Sequence, residues 1–172
     1  MYVSASRALG VSTSNNVRGP VTTAAGRFYA ADAVRNYPGC VQQPRVPFAI
    51  AATGPRGMRI AAEHGAAWVT NGARAYEGAP LNPADGARVV REQMRRLDEA
   101  CAAVGRDPAS LDRIVQTGTR LDPALGSPAM FDDAKGAYAE IGVTDLVVHW
   151  PRPTDPYRGD PSILERIDIS IT

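Results

Sequence analysis

This chain of 172 residues is poor in cysteine and contains no long hydrophobic run. Its two cysteines, Cys40 and Cys101, are too few for a disulfide framework or a cysteine-based metal cluster. No apolar stretch approaches the roughly 20 residues that a membrane-spanning helix needs. The first 19 residues scatter their apolar side chains among Ser, Thr and Asn, so they lack the hydrophobic centre of a signal peptide. We therefore expect a cytoplasmic protein that binds neither membranes nor metals.

The chain also lacks a charge excess of either sign. Its formal net charge of +1 argues against a nucleic-acid-binding surface, which is normally basic. A hydrophobic content of 44% with 22% charged residues is ordinary for a globular protein. A length of 172 residues is enough for one domain with a sizeable core. The composition therefore favours a single globular domain that does not act on nucleic acid.

Strand and helix patterns alternate along most of the chain. Short apolar segments predict buried strands at residues 48–52, 66–70, 111–121 and 144–150. The first helix is predicted at residues 58–64, and a final turn of helix at residues 161–167. The longest of the intervening helices has Asn82 as its N-cap and Pro83 at its first position, and Gly105 ends it. Cys101 lies on the apolar side of this helix, where we expect it to be buried. The alternation calls for parallel strands with right-handed crossovers, either in a small open α/β sheet or in half of an eight-stranded barrel.

The part of the chain before the first buried strand does not show this alternation of strand and helix patterns. Residues 1–20 are polar and are expected to form a flexible lead-in, so the domain is placed at residues 21–172. Residues 28–34 suit one arm of a short hairpin or an extended segment. Residues 36–47 carry three prolines and a glycine, which predicts a loop.

The most informative segment is the loop Thr53-Gly54-Pro55-Arg56-Gly57, which follows the first buried strand. It joins a strand to a helix at the carboxyl end of the strand, where α/β folds bind ligands. Free backbone N–H groups at the helix start, beside Arg56, would suit a phosphate. The alternative interpretation is a plain connection, in which glycine and proline are common and Arg56 is a solvated surface side chain.

Five segments, taken in their order and spacing, resemble the luciferase-like monooxygenase family. They are residues 26–29 (GRFY), 42–47 (QQPRVP), 51–57 (AATGPRG), 68–72 (WVTNG) and 147–151 (VVHWP). The resemblance extends from about residue 19 to about residue 168. It implies the C-terminal half of a (β/α)8 TIM-type barrel, with about four parallel βα units. It also implies a flavin- or deazaflavin-dependent oxidoreductase or monooxygenase that acts on a small-molecule substrate.

The resemblance further implies a cofactor, either FMN or the deazaflavin coenzyme F420, and residues that hold it. The expected cofactor-binding residues are Thr53, Gly54, Arg56, Gly57, Thr70 and Gly72. The first four would surround the phosphate through backbone N–H groups and a hydroxyl, and the last two would line the remainder of the cofactor. His149 ends the fourth strand and is the catalytic candidate, in contact with substrate or ring; the alternative is a structural histidine. Trp68 is expected to be a core residue rather than a ring-stacking surface.

The missing half of the family barrel has consequences. In the family, the first four strands hold much of the ring and substrate pocket, and these strands have no counterpart here. We therefore expect a fragment, a truncated product or a chain with an alternative start. Two outer strands would present unpaired backbone groups, which favours a homodimer or association with an N-terminal half barrel. Two functions stay open: an oxidoreductase domain, and a non-catalytic remnant that binds cofactor or associates with itself. An unrelated flavodoxin-like domain fits less well, because its phosphate loop normally follows the first strand and is richer in hydroxyls.

Overall fold

A computed structural model describes residues 21–35, 41–42, 45–72, 79–118, 120–155 and 157–169. The predicted lead-in at residues 1–20, most of the predicted loop before residue 41, and Cys40 lie outside the described residues. The chain divides into two compact units, with the boundary between Pro47 and Phe48. All the candidate site residues belong to the second unit.

The first unit contains a two-stranded antiparallel hairpin. Strand β1 (Thr22–Ala25) pairs with strand β2 (Ala30–Val34). The turn closes through the Gly26 N–H, which donates to the carbonyl of Tyr29 at 2.9 Å. The hairpin is one of the two arrangements expected for residues 28–34, but its first strand was not predicted, since it is short and built of Thr and Ala.

The second unit is a four-stranded parallel sheet with helices between its strands. The strands are β3 (Ala49–Ala51), β4 (Ala67–Thr70), β5 (Asp112–Gln116) and β6 (Asp145–Val147), and they lie in that order in the sheet. The helices are α1 (Pro55–His64), α2 (Pro83–Ala103) and α3 (Pro128–Ala139), with 3-10 turns at Pro108–Ser110 and Pro161–Glu165. The predicted parallel α/β alternation is therefore confirmed.

Capping residues set the starts of the two longer helices. The Asn82 side chain accepts a hydrogen bond from the Asp85 N–H at 2.9 Å, and Pro83 occupies the first helical position of α2. The Ser127 hydroxyl accepts one from the Met130 N–H at 3.2 Å at the start of α3. Both arrangements satisfy N–H groups that have no partner inside the helix.

The core lies between one face of the sheet and the helices. Neighbouring strands pair Ile50 with Trp68, and Thr70 with Val115, and all four side chains are buried. Helix α2 contributes a buried stripe that ends at Cys101, which has no exposed surface, as predicted. On the opposite face of the sheet Ala67 is buried, but most of the alternating positions are half-buried or exposed, among them Ala49, Ala51, Val69, Ile114, Gln116 and Val147. The sheet is therefore covered by helices on one side.

Several predicted extents differ from the structure, and strand β6 ends at Val147 rather than at residue 150. Strand β5 ends at Gln116 rather than at residue 121, because the chain turns at Gly118 (φ +98°) and Leu121 forms a bridge to Leu81 outside the sheet. Helix α1 starts at Pro55 rather than at residue 58, since proline suits the first helical turn. The last predicted helix is a 3-10 turn, Pro161–Glu165.

Candidate functional site

The loop between β3 and α1 presents an uncapped helix N-terminus. Gly54 is the N-cap, with extended dihedral angles (φ −113°, ψ 161°), and no side chain caps the helix. The first intrahelical bond runs from the Met58 N–H to the Gly54 carbonyl at 3.0 Å. Among the described residues, none accepts a hydrogen bond from the N–H groups of Arg56 or Gly57. The first turn of α1 contains no acidic residue. The partial positive charge of this helix end is therefore available to an anion.

Contacts of Trp68 and Gly57 with Ala52 hold the same loop in place. The indole N–H of Trp68 donates to the carbonyl of Ala52 at 2.8 Å, and this side chain has no exposed surface, so it is a core residue, as predicted. A β-carbon added at Gly57 would lie 3.0 Å from the β-carbon of Ala52. The glycine thus permits close approach of the helix to the strand end. Arg56 is exposed, next to these groups, and forms no ion pair with a described residue.

The carboxyl end of β4 is organised by a buried hydrogen-bond network that the sequence did not predict. The Thr70 hydroxyl donates to Oε1 of Gln93 at 2.7 Å and accepts from the Gly72 N–H at 3.1 Å. Nε2 of Gln93 donates to the Gly72 carbonyl at 2.9 Å. Thr70 and Gly72 therefore lie at the expected edge, but their polar groups are engaged within the protein. The sequence analysis did not identify Gln93 as a site residue, because glutamine is common on exposed helix faces. Its position between the apolar residues Val90 and Met94 was the one indication that it is buried.

A second group of side chains surrounds His149 at the end of β6. Nε2 of His149 lies 3.3 Å from Nε2 of Gln116. The imidazole stacks on the Tyr157 ring, with 3.9 Å between centroids and 13° between planes. The guanidinium of Arg152 lies 5.8 Å from the centroid of the same Tyr157 ring. A side chain at Gly118 would collide with the imidazole. Sequence reasoning missed Gln116 and Gly118 because it continued the strand through them.

All these groups lie at one edge of the sheet. The strands are parallel, so the carboxyl ends of β3, β4, β5 and β6 lie at the same edge, and the described residues that follow each strand begin there. The phosphate-binding candidates, residues 53–57, follow the outer strand β3, and His149 follows the outer strand β6. Three strand spacings separate the two, about 14 Å at roughly 4.8 Å each. The structure thus brings every predicted site residue to the same edge but separates them into groups.

The described groups with clearly shifted pKa values are not among the predicted site residues. Burial, helped by the negative charge of Asp122, raises the pKa of Tyr138 to about 12. Burial also raises the pKa of the Cys101 thiol. In the part of the chain that the structure describes, no cluster of three His, Cys, Asp or Glu side chains suits a metal ion. Across the same ranges, no helix is long and apolar enough to cross a membrane.

The fold defines a parallel α/β half barrel, with the candidate site at the carboxyl ends of its strands. The family model for luciferase-like monooxygenases matches residues 6–123. This is more than half of the chain, and the chain belongs to the luciferase-like monooxygenase family. The match begins earlier than the resemblance identified from the sequence, and it ends before the segment that contains His149. A comparison with curated protein sequences finds no significant match.

Two solved structures share the fold. An F420-dependent secondary alcohol dehydrogenase, in complex with an F420–acetone adduct, is 12% identical with a TM-score of 0.55; the alignment covers 78% of this chain and 52% of that one. The coenzyme F420-dependent tetrahydromethanopterin reductase from Methanopyrus kandleri is 15% identical with a TM-score of 0.59, over 86% of this chain and 56% of that one. The chain thus spans about half the length of these structures. The predicted partial TIM-type barrel is confirmed.

Proposed function

We propose that this chain is an oxidoreductase-type domain that binds the phosphate of a flavin or deazaflavin cofactor at the β3–α1 loop. The observation that supports it most directly is the uncapped N-terminus of α1 at the carboxyl edge of the sheet, beside Arg56 and with no acidic residue in its first turn. The N–H groups of Gly54, Arg56 and Gly57 and the hydroxyl of Thr53 are the proposed phosphate contacts. When bound, such a cofactor supplies hydride transfer or oxygen activation, and the protein supplies binding and orientation.

The deazaflavin coenzyme is the first candidate and FMN is the second. The two solved structures described above are both F420-dependent, which favours the deazaflavin. Both candidates carry a phosphate group, so the α1 site fits either of them. A small-molecule substrate and a cytoplasmic location complete the proposal.

The phosphate site is testable by cofactor titration. The purified chain is titrated with FMN and separately with coenzyme F420, and binding is followed by cofactor fluorescence. Arg56→Gln removes a charge-assisted contact, which should weaken binding about 10-fold. Arg59→Gln is the matched control, because Arg59 lies on the same helix but pairs with Glu63 at 2.7 Å. It should leave the affinity within about 2-fold of wild type, as surface ion pairs contribute little.

Inorganic phosphate provides the second arm of this experiment. It should compete with the cofactor in the wild-type chain, and the competition should weaken as salt rises, because exposed charges are screened. Equal affinities in Arg56→Gln and Arg59→Gln, without phosphate competition, would contradict the proposed site.

A second function is favoured because helices cover only one face of the sheet. In this function the chain is a non-catalytic domain that associates with itself or with an N-terminal half barrel. Parallel sheets are normally covered on both faces. Here Ala49, Ala51 and Val147 remain exposed on the face opposite the helices. The two outer strands, β3 and β6, are edges of the described sheet.

Sedimentation equilibrium and a reduction assay separate the two functions. A concentration-dependent dimer that binds cofactor, but does not support its reduction or oxidation with NAD(P)H or a small alcohol, would favour the non-catalytic domain. Turnover of the bound cofactor would favour the oxidoreductase, whatever the oligomeric state.

A further inference from the structure

The His149 imidazole is held by three neighbours at the end of β6. Gln116 approaches its Nε2 to 3.3 Å, and Tyr157 stacks on its ring with 3.9 Å between centroids. Gly118 has a left-handed backbone (φ +98°), and any larger residue there would collide with the ring. The imidazole is half-buried. Its plane and one of its nitrogen atoms are therefore fixed by the protein itself.

The Gln116 contact determines which nitrogen carries the proton. With the Gln116 amide oriented so that its Nε2, which is only a donor, faces the ring, Nε2 of His149 is the acceptor of this contact. A neutral imidazole then carries its proton on Nδ1. Within the described residues, no hydrogen bond uses this Nδ1. An N–H donor is thus left for a ligand at the edge where α/β folds bind ligands.

We propose that Gln116 and Tyr157 are positioning residues that hold His149 as the Nδ1–H tautomer, and that this N–H donates to a ring oxygen of the bound cofactor. The second part rests on the proposed function. A cofactor anchored by its phosphate at the start of α1 must extend across about three strand spacings, roughly 14 Å, to reach β6. Flavin and deazaflavin rings carry carbonyl oxygens, which are the acceptors that such a donor needs.

The tautomer is measured in the free chain by nitrogen-15 NMR. The chain contains two histidines, and His64→Gln assigns their signals. In the neutral imidazole of His149, we expect a protonated Nδ1 and an unprotonated Nε2. Gln116→Leu should shift the equilibrium toward the Nε2–H form that free imidazole side chains prefer. Tyr157→Leu should move the ring-proton shifts of His149 toward those of His64, while Tyr157→Phe should leave them unchanged. A wild-type Nε2–H tautomer, or no response to Gln116→Leu, would overturn the positioning role.

The donor is tested by cofactor affinity in two His149 variants. The amide nitrogen of His149→Asn lies close to the place of Nδ1, and that of His149→Gln lies close to the place of Nε2. Loss of one hydrogen bond should weaken binding of coenzyme F420 or FMN about 5-fold in His149→Gln, whereas His149→Asn should stay within about 2-fold of wild type. Equal affinities in both variants would overturn the donor. Absence of cofactor binding by the wild type would instead refute the proposed function, and the tautomer result would still decide the positioning role.

Discussion

Replacement of Gln93 by leucine tests the network that shapes the end of β4. The Gln93 side chain is almost entirely buried, with 6% of its surface exposed, and Thr70 is 2% exposed. Gln93→Leu conserves much of the volume but leaves the Thr70 hydroxyl without its acceptor and the Gly72 carbonyl without its donor. Both groups are then buried without a partner, away from water.

The magnitude follows from the two lost bonds. A buried polar group that loses its hydrogen-bond partner costs about 1–3 kcal/mol. Because the surrounding structure relaxes in part, the two groups together should lower the free energy of unfolding by about 3 kcal/mol. For a domain of this size, 3 kcal/mol corresponds to a decrease of roughly 6–12 °C in melting temperature. Urea denaturation followed by far-UV circular dichroism gives the free energy directly.

A double-mutant cycle separates the network from general packing. Thr70→Val alone leaves Oε1 of Gln93 and the Gly72 N–H without a hydrogen-bond partner. The double variant Thr70→Val/Gln93→Leu removes both side chains of the network. The double variant should therefore be less destabilised than the sum of the single variants, by about 1 kcal/mol or more. Thr70→Ser keeps the hydroxyl and serves as the control. Additive effects, or a cost below about 0.5 kcal/mol for Gln93→Leu, would refute the reasoning.

Three further predictions concern ionisation and packing. The pKa of Tyr138 is raised to about 12 in the folded chain, so its neutral form stabilises the fold below about pH 10. This contribution should disappear as pH rises toward 12, and Tyr138→Phe should remove that part of the pH dependence in urea denaturation. Gly86→Ala should destabilise the chain by about 1–3 kcal/mol, because the new methyl would meet the Tyr138 hydroxyl, and Tyr138→Phe should partly restore stability. Hydrogen bonds from Arg95 and Arg96 lower the pKa of Glu92 to about 2, so its stabilising contribution should fade as pH falls from about 4.5 toward 2. Glu92→Gln should make the free energy of unfolding depend less on pH below about 4.5. A stronger pH dependence in this variant would contradict the assignment.

Much of the architecture could be predicted because it depends on local patterns. Proline at the first turn and Asn82 as a cap set the start of α2, and the buried stripe that contains Cys101 follows from helical periodicity. The strand-to-helix connection that carries the candidate phosphate site was predicted for the same reason, since Gly54, Pro55 and Gly57 are a local signal for such a connection. The end of β5 was predicted wrongly, because the apolar Leu121 continued the pattern of the strand. In the structure this leucine packs on Gly72 and bridges Leu81, which is a tertiary contact.

The sequence by itself determined the order of elements, their parallel arrangement and the family, because hydrophobic period, caps and turn residues act over a few positions. Only the tertiary structure decided which side chains meet at the carboxyl edge. Gln93 reaches Thr70 from a helix more than twenty positions further along the chain, and Tyr157 folds back onto His149. Such contacts depend on where the loops after each strand come together, and no local pattern specifies that position.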